Sequence, residues 1–193
     1  MAKPNVISKE ALIQSAKTCI AENGLEKLTL QSVAKQANVT QGTVYYHFRT
    51  KENLMMEVVR HVCGSSWANV KNSLLPSSEK LKKALLSAKS RTKENADYHR
   101  LCLSLIVSSF QNERIKEQLS HLLQSENQCL TEELTRLWGK SPIDGVSLTT
   151  WGILVNALID GLAIQALVYD DFSAEDVYLE LEWILVRLTE KMM

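Results

Sequence analysis

The sequence predicts an all-α protein of about nine helices, and three of its features support this fold class. Only 3 prolines and 7 glycines occur among 193 residues, while Leu, Ala, Lys and Glu, which favour helices, are abundant. No run of alternating β-branched residues indicates a strand. Apolar residues recur at helical spacing along the chain. We therefore expect an N-terminal head of three helices followed by a longer helical body.

Residues 29–51 carry the most informative pattern, two short helices joined by a tight turn. Thr29 suits the N-cap of the first helix, and Asn38 suits the turn because Asn tolerates the left-handed conformation. Thr40 then caps the second helix, and Lys51 opens a third. Two helices joined in this way form a helix-turn-helix, whose second helix enters the major groove of DNA.

The remaining helices are predicted from capping residues and apolar spacing. Helix 1 begins after Ser8 and ends at Gly24, and helix 4 runs from Lys51 until Pro76 stops it. The pair Ser77-Ser78 is expected to cap helix 5. The later helices are predicted at 101–110, 112–138 and 148–169, followed by a ninth helix that Ser173 caps.

Charge is distributed unevenly between the two ends of the chain. Residues 1–51 carry seven basic and three acidic side chains, a net charge of +4, whereas residues 52–193 carry 15 basic and 19 acidic side chains, a net charge of −4. A basic head on an acidic body suits a polyanion that binds at one end only.

A cytoplasmic location is expected from the N-terminus and the cysteines. No apolar stretch precedes helix 1, as a secretory signal would require. The longest apolar run, 151–168, contains Asp160, and a carboxylate in mid-span favours a buried helix over a membrane span. Four widely spaced cysteines are expected to be reduced core residues: Cys19, Cys63, Cys102 and Cys129.

Motifs of the common enzyme classes are missing from the sequence. It has no Gly-rich phosphate loop, no nucleophile elbow and no His-Glu-x-x-His. His99 and Cys102 have metal-compatible spacing, but two ligands are too few because zinc normally takes three or four. We therefore expect neither catalysis, nor a cofactor, nor a metal site.

The residues of the second short helix carry a resemblance to a known family. Gly42-Thr43-Val44-Tyr45-Tyr46-His47-Phe48, with Lys51 after it, is similar to the signature of the tetracycline-repressor (TetR) family of bacterial transcription regulators. The similarity extends back to the end of helix 1 at Asn23-Gly24. Two positions depart from the pattern: Asn38 stands where the family usually has Gly, and Ile20 where it usually has an aromatic residue.

The predicted DNA contacts combine phosphate-binding and base-reading side chains. Phosphates are bound by cations, hydroxyls and helix N-termini, whereas Gln41 can read adenine and Thr43 can meet a thymine methyl. The resemblance implies that Tyr45, Tyr46 and His47 line the DNA backbone, although Tyr45 could instead be a core aromatic residue; Phe48 is expected in the core. The residues expected to contact DNA are Thr29, Gln31, Thr40, Gln41, Thr43, Tyr45, Tyr46, His47 and Lys51.

Helices 8 and 9 are expected to form the contact between two copies of the chain. Helix 8 is apolar nearly all round, and such a helix must be covered on every face. Both helices could instead complete the core of a monomer, but the resemblance implies a two-fold dimer through a four-helix bundle of these helices. The residues expected in this interface are Leu158, Gly161, Val177, Leu181, Ile184 and Leu188.

The resemblance also implies a small-molecule pocket in the body. Asn127 interrupts an apolar stripe on helix 7, and Asn156 lies one turn before Asp160 in the apolar helix 8. Buried polar groups need a partner, which is either a ligand or, alternatively, an internal hydrogen bond or a contact across the dimer. The residues expected to line the pocket are Cys63, Trp67, Leu103, Val107, Phe110, Leu123, Asn127 and Asn156.

Together these features indicate a DNA-binding transcription regulator that acts as a repressor. A dimer would bind a near-palindromic operator in double-stranded DNA, and a small-molecule effector would release it; no membrane partner is expected. The same dimer acting as an activator, or as a cysteine redox sensor without a small ligand, is the alternative. The predicted division is a DNA-binding head, 1–51, and a ligand-binding and dimerisation body, 52–193, with helix 4 shared between them.

Overall fold

The all-α prediction is confirmed by the structure, a computed structural model that describes residues 7–71, 75–90, 92 and 97–190. Within those residues it contains nine α-helices, one short 3-10 helix at Leu25–Lys27, and no strand. The α-helices are α1 (Lys9–Asn23), α2 (Leu30–Gln36), α3 (Gln41–Phe48), α4 (Lys51–Lys71), α5 (Ser77–Lys89), α6 (Asp97–Ser109), α7 (Glu113–Trp138), α8 (Leu148–Val168) and α9 (Ala174–Glu190).

Helix boundaries near the N-terminus follow the predicted caps. The Ser8 hydroxyl accepts a hydrogen bond from the Ala11 N–H at 3.1 Å, and α1 ends at Gly24 with a φ of 79°. Thr29 and Ser32 form a reciprocal capping box at the start of α2, each hydroxyl accepting from the other residue's N–H at 2.9 Å. Asn38 has a φ of 53°, so the predicted left-handed turn residue is confirmed.

Two boundaries in the middle of the chain differ from the prediction. Helix α5 has Pro76 as its N-cap residue, without a side-chain hydrogen bond, and Ser77 is already helical. Helix α6 begins at Asp97, four residues before the predicted start at Leu101; its early start is favoured by the acidic first turn, which complements the positive end of the helix dipole. Helix α4 ends at Lys71, and residues 72–74 and 93–96 fall outside the described residues.

The helices form two compact units, each built from two segments of the chain. Unit 1 comprises the chain up to Val62 together with Arg100–Leu119, and unit 2 comprises Cys63–His99 together with the chain from Ser120 onward. These units are defined by packing, whereas the head and body predicted above are functional parts; that division stays a prediction.

The core of unit 1 fixes the orientation of the short helix α3. Val44 and Phe48 of α3 are buried, as Phe48 was predicted to be, and Leu12 of α1, Val33 of α2 and Leu54 of α4 are fully buried. Burial of one large apolar side chain contributes about 1.5–3 kcal/mol. Because Val44 and Phe48 point inward, the opposite face of α3 is directed to solvent.

Polar contacts join α1 to α4 at the surface of unit 1. The Lys9 ammonium lies 2.8 Å from Glu57 Oε2, and Gln14 Nε2 lies 3.0 Å from His61 Nε2. His61 Nδ1 lies 3.1 Å from Glu10 Oε1. Pairs as exposed as these stabilise by only about 0–1 kcal/mol each, so the apolar core carries most of the stability.

Unit 2 has an apolar core to which four helices contribute. Trp138 packs edge-to-face on Trp151, with ring centroids 5.4 Å apart, a geometry favoured by the ring quadrupoles. The Leu181 side chain of α9 is 6% exposed and lies in this core. The buried core residues are Leu81, Leu85, Leu130, Leu134, Trp138, Val155, Leu181 and Leu185.

Helices α7 and α8 are in close contact at Gly152. A Cβ atom built on Gly152 would overlap Thr131 Oγ1 and would lie 2.9 Å from Asn127 O and 3.0 Å from Thr131 N. Two of these three atoms belong to the α7 backbone, which cannot move aside without shifting the helix. The absence of a side chain at Gly152 therefore allows α7 and α8 of the same chain to pack closely.

Helix α8 combines apolar composition with length. Its 21 residues are long and apolar enough to cross a membrane by those criteria alone, and an 18-residue stretch of it has a mean hydropathy of 1.7. The core helix of a soluble protein passes the same test, and α8 contributes buried Val155, Asn156, Ala163 and Ala166 to unit 2.

Candidate nucleic-acid interface and body cavity

The solvent-facing side of α3 carries the side chains predicted to contact DNA. Gln41 and Tyr45 are exposed, and Tyr46 is 70% exposed. Tyr45, considered above as a possible core residue, is 50% exposed and is therefore available to a partner. Gly42 adds an exposed position without a side chain, where another molecule can approach the backbone closely.

A groove between α2 and α3 brings several of the predicted contacts together. Thr29, Gln31 and Gln41 line it, and so does Lys35. The groove has a volume of about 530 Å³. Amide, hydroxyl and ammonium groups are the types that bind base edges and phosphates. Lys35 was not among the predicted contacts, although its position on the exposed side of α2 was a usable signal.

Two hydroxyl groups order the start of α3. Thr40 Oγ1 accepts a hydrogen bond from the Thr43 N–H at 3.2 Å, as a capping residue does. The Thr40 and Thr43 hydroxyls also lie 3.0 Å apart. Thr43 is therefore held in one orientation on the first turn of α3, where the prediction places base contacts.

Arg49 is a basic residue at the end of α3 that the predicted contact set omitted. Its guanidinium carbon lies 5.4 Å from the centroid of the Tyr45 ring and 5.8 Å from that of Tyr46, within the range of cation–π attraction. Its φ is 66°, in a region that non-glycine residues rarely adopt. A basic residue directly after the second helix of the predicted helix-turn-helix was the available signal.

Further basic side chains surround His47 in unit 1. His47 lines a depression of about 340 Å³ together with Lys9, Arg60 and Arg114. Glu57 is the acidic residue among those that line it, and it pairs with Lys9 at 2.8 Å and Arg60 at 3.3 Å. This surface carries excess positive charge, which attracts polyanions. Arg114 joins it from α7, and no local sequence pattern could have indicated that proximity.

Lys51 lies at the start of α4, as predicted, and is half-buried. The Asn53 N–H donates to the Thr50 hydroxyl at 3.1 Å, which caps the helix. The Asn53 amide also donates to the Phe48 carbonyl at 3.0 Å, so the end of α3 and the start of α4 are held together. A cation at a helix N-terminus is suited to a phosphate contact.

Unit 2 contains a partly open cavity of about 50 Å³, here called the body cavity, and three of the predicted pocket residues line it. Cys63 and Trp67 reach it from α4, and Asn156 reaches it from α8. The Asn156 amide also donates to Asn127 Oδ1 at 2.9 Å, the internal hydrogen bond given above as the alternative. The remaining lining residues are Ala84, Ser87, Ala88, Tyr98, His99, Glu126, Leu130, Ile159 and Asp160.

The other five predicted pocket residues are not among those that line the body cavity. Leu103, Val107 and Phe110 belong to unit 1, and Val107 and Phe110 are 67% and 80% exposed. The side of α6 that faces inward carries Tyr98, Leu101 and Leu105 instead, because these positions share one helical face and the predicted trio shares another. Leu123 is exposed, and Asn127 is engaged with Asn156.

Glu126 is the centre of a small hydrogen-bond network at the body cavity. Its Oε1 accepts from the Cys63 thiol at 3.1 Å and from the Tyr98 hydroxyl at 2.8 Å. The sequence contained a signal for this residue, since Leu122, Glu126 and Leu130 follow one another at intervals of four on α7. A carboxylate within an apolar stripe requires hydrogen-bond partners, and the structure supplies two.

The sequence predicts no metal site, whereas a cysteine redox sensor is one of the alternatives given above. Among the described residues, no group of three or more His, Cys, Asp or Glu side chains could hold a metal ion. Burial raises the pKa of the Cys19 thiol above its usual value, an effect larger than the opposing hydrogen bond to Ser32.

The predicted dimer residues divide between the interior of unit 2 and its surface. Leu181 lies in the core and Leu188 packs against it, so these two residues already have partners in their own chain. Val177 and Gly161 are partly buried. Leu158 is 49% exposed and Ile184 is 57% exposed. Other large apolar residues exposed on the same two helices are Ile153, Leu154, Ile164, Val168, Leu179 and Trp183.

The N-terminal region of the chain matches a known family and several of its curated members. Residues 8–58 match the family described as bacterial regulatory proteins, tetR family. The chain is 36% identical over 52 residues to the transcriptional repressor KstR2 of Mycolicibacterium smegmatis, covering 27% of this chain and 25% of that protein. It is 39% identical over 62 residues to the transcriptional regulator BetI of Burkholderia thailandensis, covering 32% of each.

These matches span about a quarter to a third of the length of the curated relatives. Their names are those of transcription regulators, in agreement with the prediction that the chain is not an enzyme. Neither the activator nor the cysteine redox alternative gains support from them.

The fold beyond the matched region agrees with solved structures. A TetR transcriptional regulator from Legionella pneumophila superposes with a TM-score of 0.67 at 20% identity, covering 98% of this chain and 100% of that one. At this identity the likeness concerns the fold alone. Residues 8–58 thus match the tetR family of bacterial regulatory proteins, and the described residues share the fold of solved TetR regulators.

Proposed function

We propose that this protein is a cytoplasmic transcriptional repressor that binds a near-palindromic DNA operator as a homodimer and is released by a small molecule. The observation that carries the proposal is the exposed face of α3, held outward by the burial of Val44 and Phe48 within a domain of a DNA-binding family. The relative KstR2 is itself named as a transcriptional repressor.

The DNA step rests on the chemistry of α3 and its surroundings. Gln41 and Thr43 lie on the first turn of α3, which is the part of a recognition helix that contacts base edges. Thr29, Thr40, Lys51 and the hydroxyls of the two tyrosines are suited to phosphates. Arg49, which stacks over those tyrosine rings, adds a cation at the same end of α3.

The dimer step rests on the apolar residues that α8 and α9 leave uncovered. Leu154, Leu158 and Val168 are exposed on α8, and Trp183 and Ile184 are exposed on α9. Large apolar side chains left exposed in this number on two helices favour association with another surface. A second copy would cover these side chains and would supply the second recognition helix that a near-palindromic site requires.

The effector step rests on the body cavity and on the course of α4. This helix begins at Lys51, next to the recognition helix, and its later residues Cys63 and Trp67 line the cavity. A ligand that binds there would contact the same helix that starts at the DNA-binding surface. Release follows if the ligand favours a state in which the two heads no longer fit two half-sites.

The experiment that tests this function is selection of the preferred DNA from a random library, followed by binding titrations on the selected site. We expect an inverted repeat whose half-sites lie about one DNA turn apart. Gln41→Ala should weaken binding to the selected site by about 1–3 kcal/mol and affect random DNA less. Gln124→Ala, at an exposed position in unit 2, is the matched control and should bind as the parent does.

Two results would contradict the proposal. Selection that recovers no sequence preference would exclude operator recognition. Equal losses on selected and random DNA for Gln41→Ala would exclude base reading by this side chain, because a phosphate contact weakens all sequences alike.

A further inference from the structure

We propose that the basic depression of unit 1 is a second site for the DNA backbone, in which Arg114 of α7 adds a phosphate contact to those of the helix-turn-helix. The inference rests on the proposed DNA-binding function and adds a contact from a helix that lies outside the DNA-binding motif. The basic depression is the surface lined by Lys9, His47, Phe48, Arg49, Asn53, Glu57, Arg60, Arg114 and Gln118.

Basic side chains outnumber acidic ones in the basic depression. Of the nine described residues that line it, four are Lys or Arg and one, Glu57, is acidic. Two further carboxylates adjoin the lining residues in sequence, and both pair elsewhere: Glu10 lies 3.1 Å from His61 Nδ1, and Glu113 lies 3.1 Å from Lys116 Nζ. The lining therefore has an excess of three positive charges, which attracts phosphate groups.

Glu57 holds two of these cations in place without cancelling the excess charge. Its Oε2 lies 2.8 Å from Lys9 Nζ, and its Oε1 lies 3.3 Å from Arg60 Nη1. One carboxylate thus orients two cations, and the trio keeps one net positive charge. Cations that are oriented before binding lose less conformational entropy when a phosphate arrives.

Arg114 is the cation that α7 contributes to the basic depression. It is exposed, and its guanidinium makes no hydrogen bond or ion pair with the described residues. A guanidinium can donate two parallel N–H bonds to the oxygens of one phosphate. Arg114 lies in the second segment of unit 1, so it belongs to the same compact unit as α3.

The position of the basic depression favours DNA as its partner over a small free anion. His47 and Arg49, which line it, also form the C-terminal end of α3. The depression is therefore continuous with the face of α3 that we propose meets DNA. Phosphates follow one another along each strand at about 3.4 Å of helix axis. A duplex seated on α3 thus presents further phosphates to the adjoining surface.

Salt-dependent binding to a random-sequence duplex tests the inference, because phosphate contacts carry no sequence information. Arg114→Gln should lower the slope of log affinity against log salt by about one for each bound protomer. The affinity ratio of the parent to this variant should therefore fall about threefold per bound protomer between about 50 and about 200 mM salt. Fluorescence anisotropy of the labelled duplex measures both quantities.

Two further variants separate a phosphate contact from a general charge effect and from a structural role. Arg100→Gln removes the same charge at an exposed position of α6 in unit 1 that does not line the depression, and it should keep the slope of the parent. Arg114→Lys keeps a cation at the site and should restore most of the slope. Circular dichroism of each variant verifies that its helices are intact.

Several outcomes would overturn the inference. These are a parent that does not bind the random duplex, an Arg114→Gln variant with the slope of the parent, or an equal loss for Arg100→Gln. An Arg114→Gln variant that binds DNA normally but no longer binds pyrophosphate would assign the depression to a free anion instead. None of these results depends on a preferred sequence, so the repressor function is decided by the selection experiment. Conversely, the expected loss of slope in a protein without a preferred sequence would keep the phosphate contact and refute the repressor function.

Discussion

Replacement of Gly152 by alanine probes the crossing of α7 and α8 in unit 2. The added Cβ would overlap Thr131 Oγ1 and would lie 2.9 Å from Asn127 O and 3.0 Å from Thr131 N. The hydroxyl can rotate away only by giving up its 2.8 Å hydrogen bond to Asn127 O. The close contacts of the added Cβ with the two backbone atoms can be relieved only if the helices move apart.

The expected change in the free energy of unfolding combines a packing cost with a gain in helix propensity. Overpacking of a buried site costs about 1–3 kcal/mol, and backbone contacts place this site at the upper end of that range. Alanine in place of glycine within a helix returns about 1 kcal/mol. The net loss is therefore about 2 kcal/mol, which lowers the Tm of a chain of this length by roughly 4–8 °C.

Gly64→Ala is the matched control for this experiment. Gly64 lies within α4, is exposed, and would meet no atom within 4 Å of an added Cβ. In Gly64→Ala only the gain in helix propensity applies, so the Tm of this variant should rise by about 2–4 °C. Thermal unfolding followed by circular dichroism at 222 nm measures both variants. If Gly152→Ala were as stable as the parent chain, the close crossing of α7 and α8 would be refuted.

Three further predictions concern the turn, the phosphate contact and the dimer. Asn38→Gly should be neutral or slightly stabilising and Asn38→Val destabilising, because the φ of 53° suits glycine; an unchanged Tm for the Val variant would speak against this. Lys51→Ala should weaken binding to operator and random DNA alike and lower the salt slope by about one; an effect confined to the operator would contradict a phosphate contact. Ile184→Glu should give folded monomers that lose the operator, whereas Leu181→Glu should also disturb the fold of its own chain because Leu181 is 6% exposed there; light scattering that shows an Ile184→Glu dimer would place the interface elsewhere.

Local chemistry made the N-terminal helices predictable from sequence. Ser8, Thr29 and Thr40 each cap a helix through their own hydroxyl group, and Asn38 turns the chain through its own backbone preference. None of these effects depends on distant residues. The outward face of α3 was predictable for the same reason, since helical periodicity alone places Val44 and Phe48 opposite Tyr46.

The arrangement of unit 2 depended on contacts that the sequence does not contain locally. Leu181 and Ile184 have the same apolar character and lie on the same helix, yet one is buried and the other exposed. Only the packing of α5, α7 and α8 against α9 decides between them. The early start of α6 likewise brought Tyr98 and His99 to the body cavity in place of the predicted Leu103, Val107 and Phe110.

The discontinuous make-up of unit 1 limits how the DNA-binding surface proposed for it could be transplanted into another protein. A fragment that stops at Val62 lacks Arg100–Leu119, the second segment of the unit, in which Leu105 and Ile115 are 0% and 1% exposed. Tolerance to truncation depends on the burial of what is removed, and these side chains are fully covered. A chimera made with a single crossover in α4 would take the first segment of unit 1 from one protein and the second segment from another. The two segments would then pack against surfaces that are not their native ones. Exchange of both segments together would keep each buried side chain among its native neighbours.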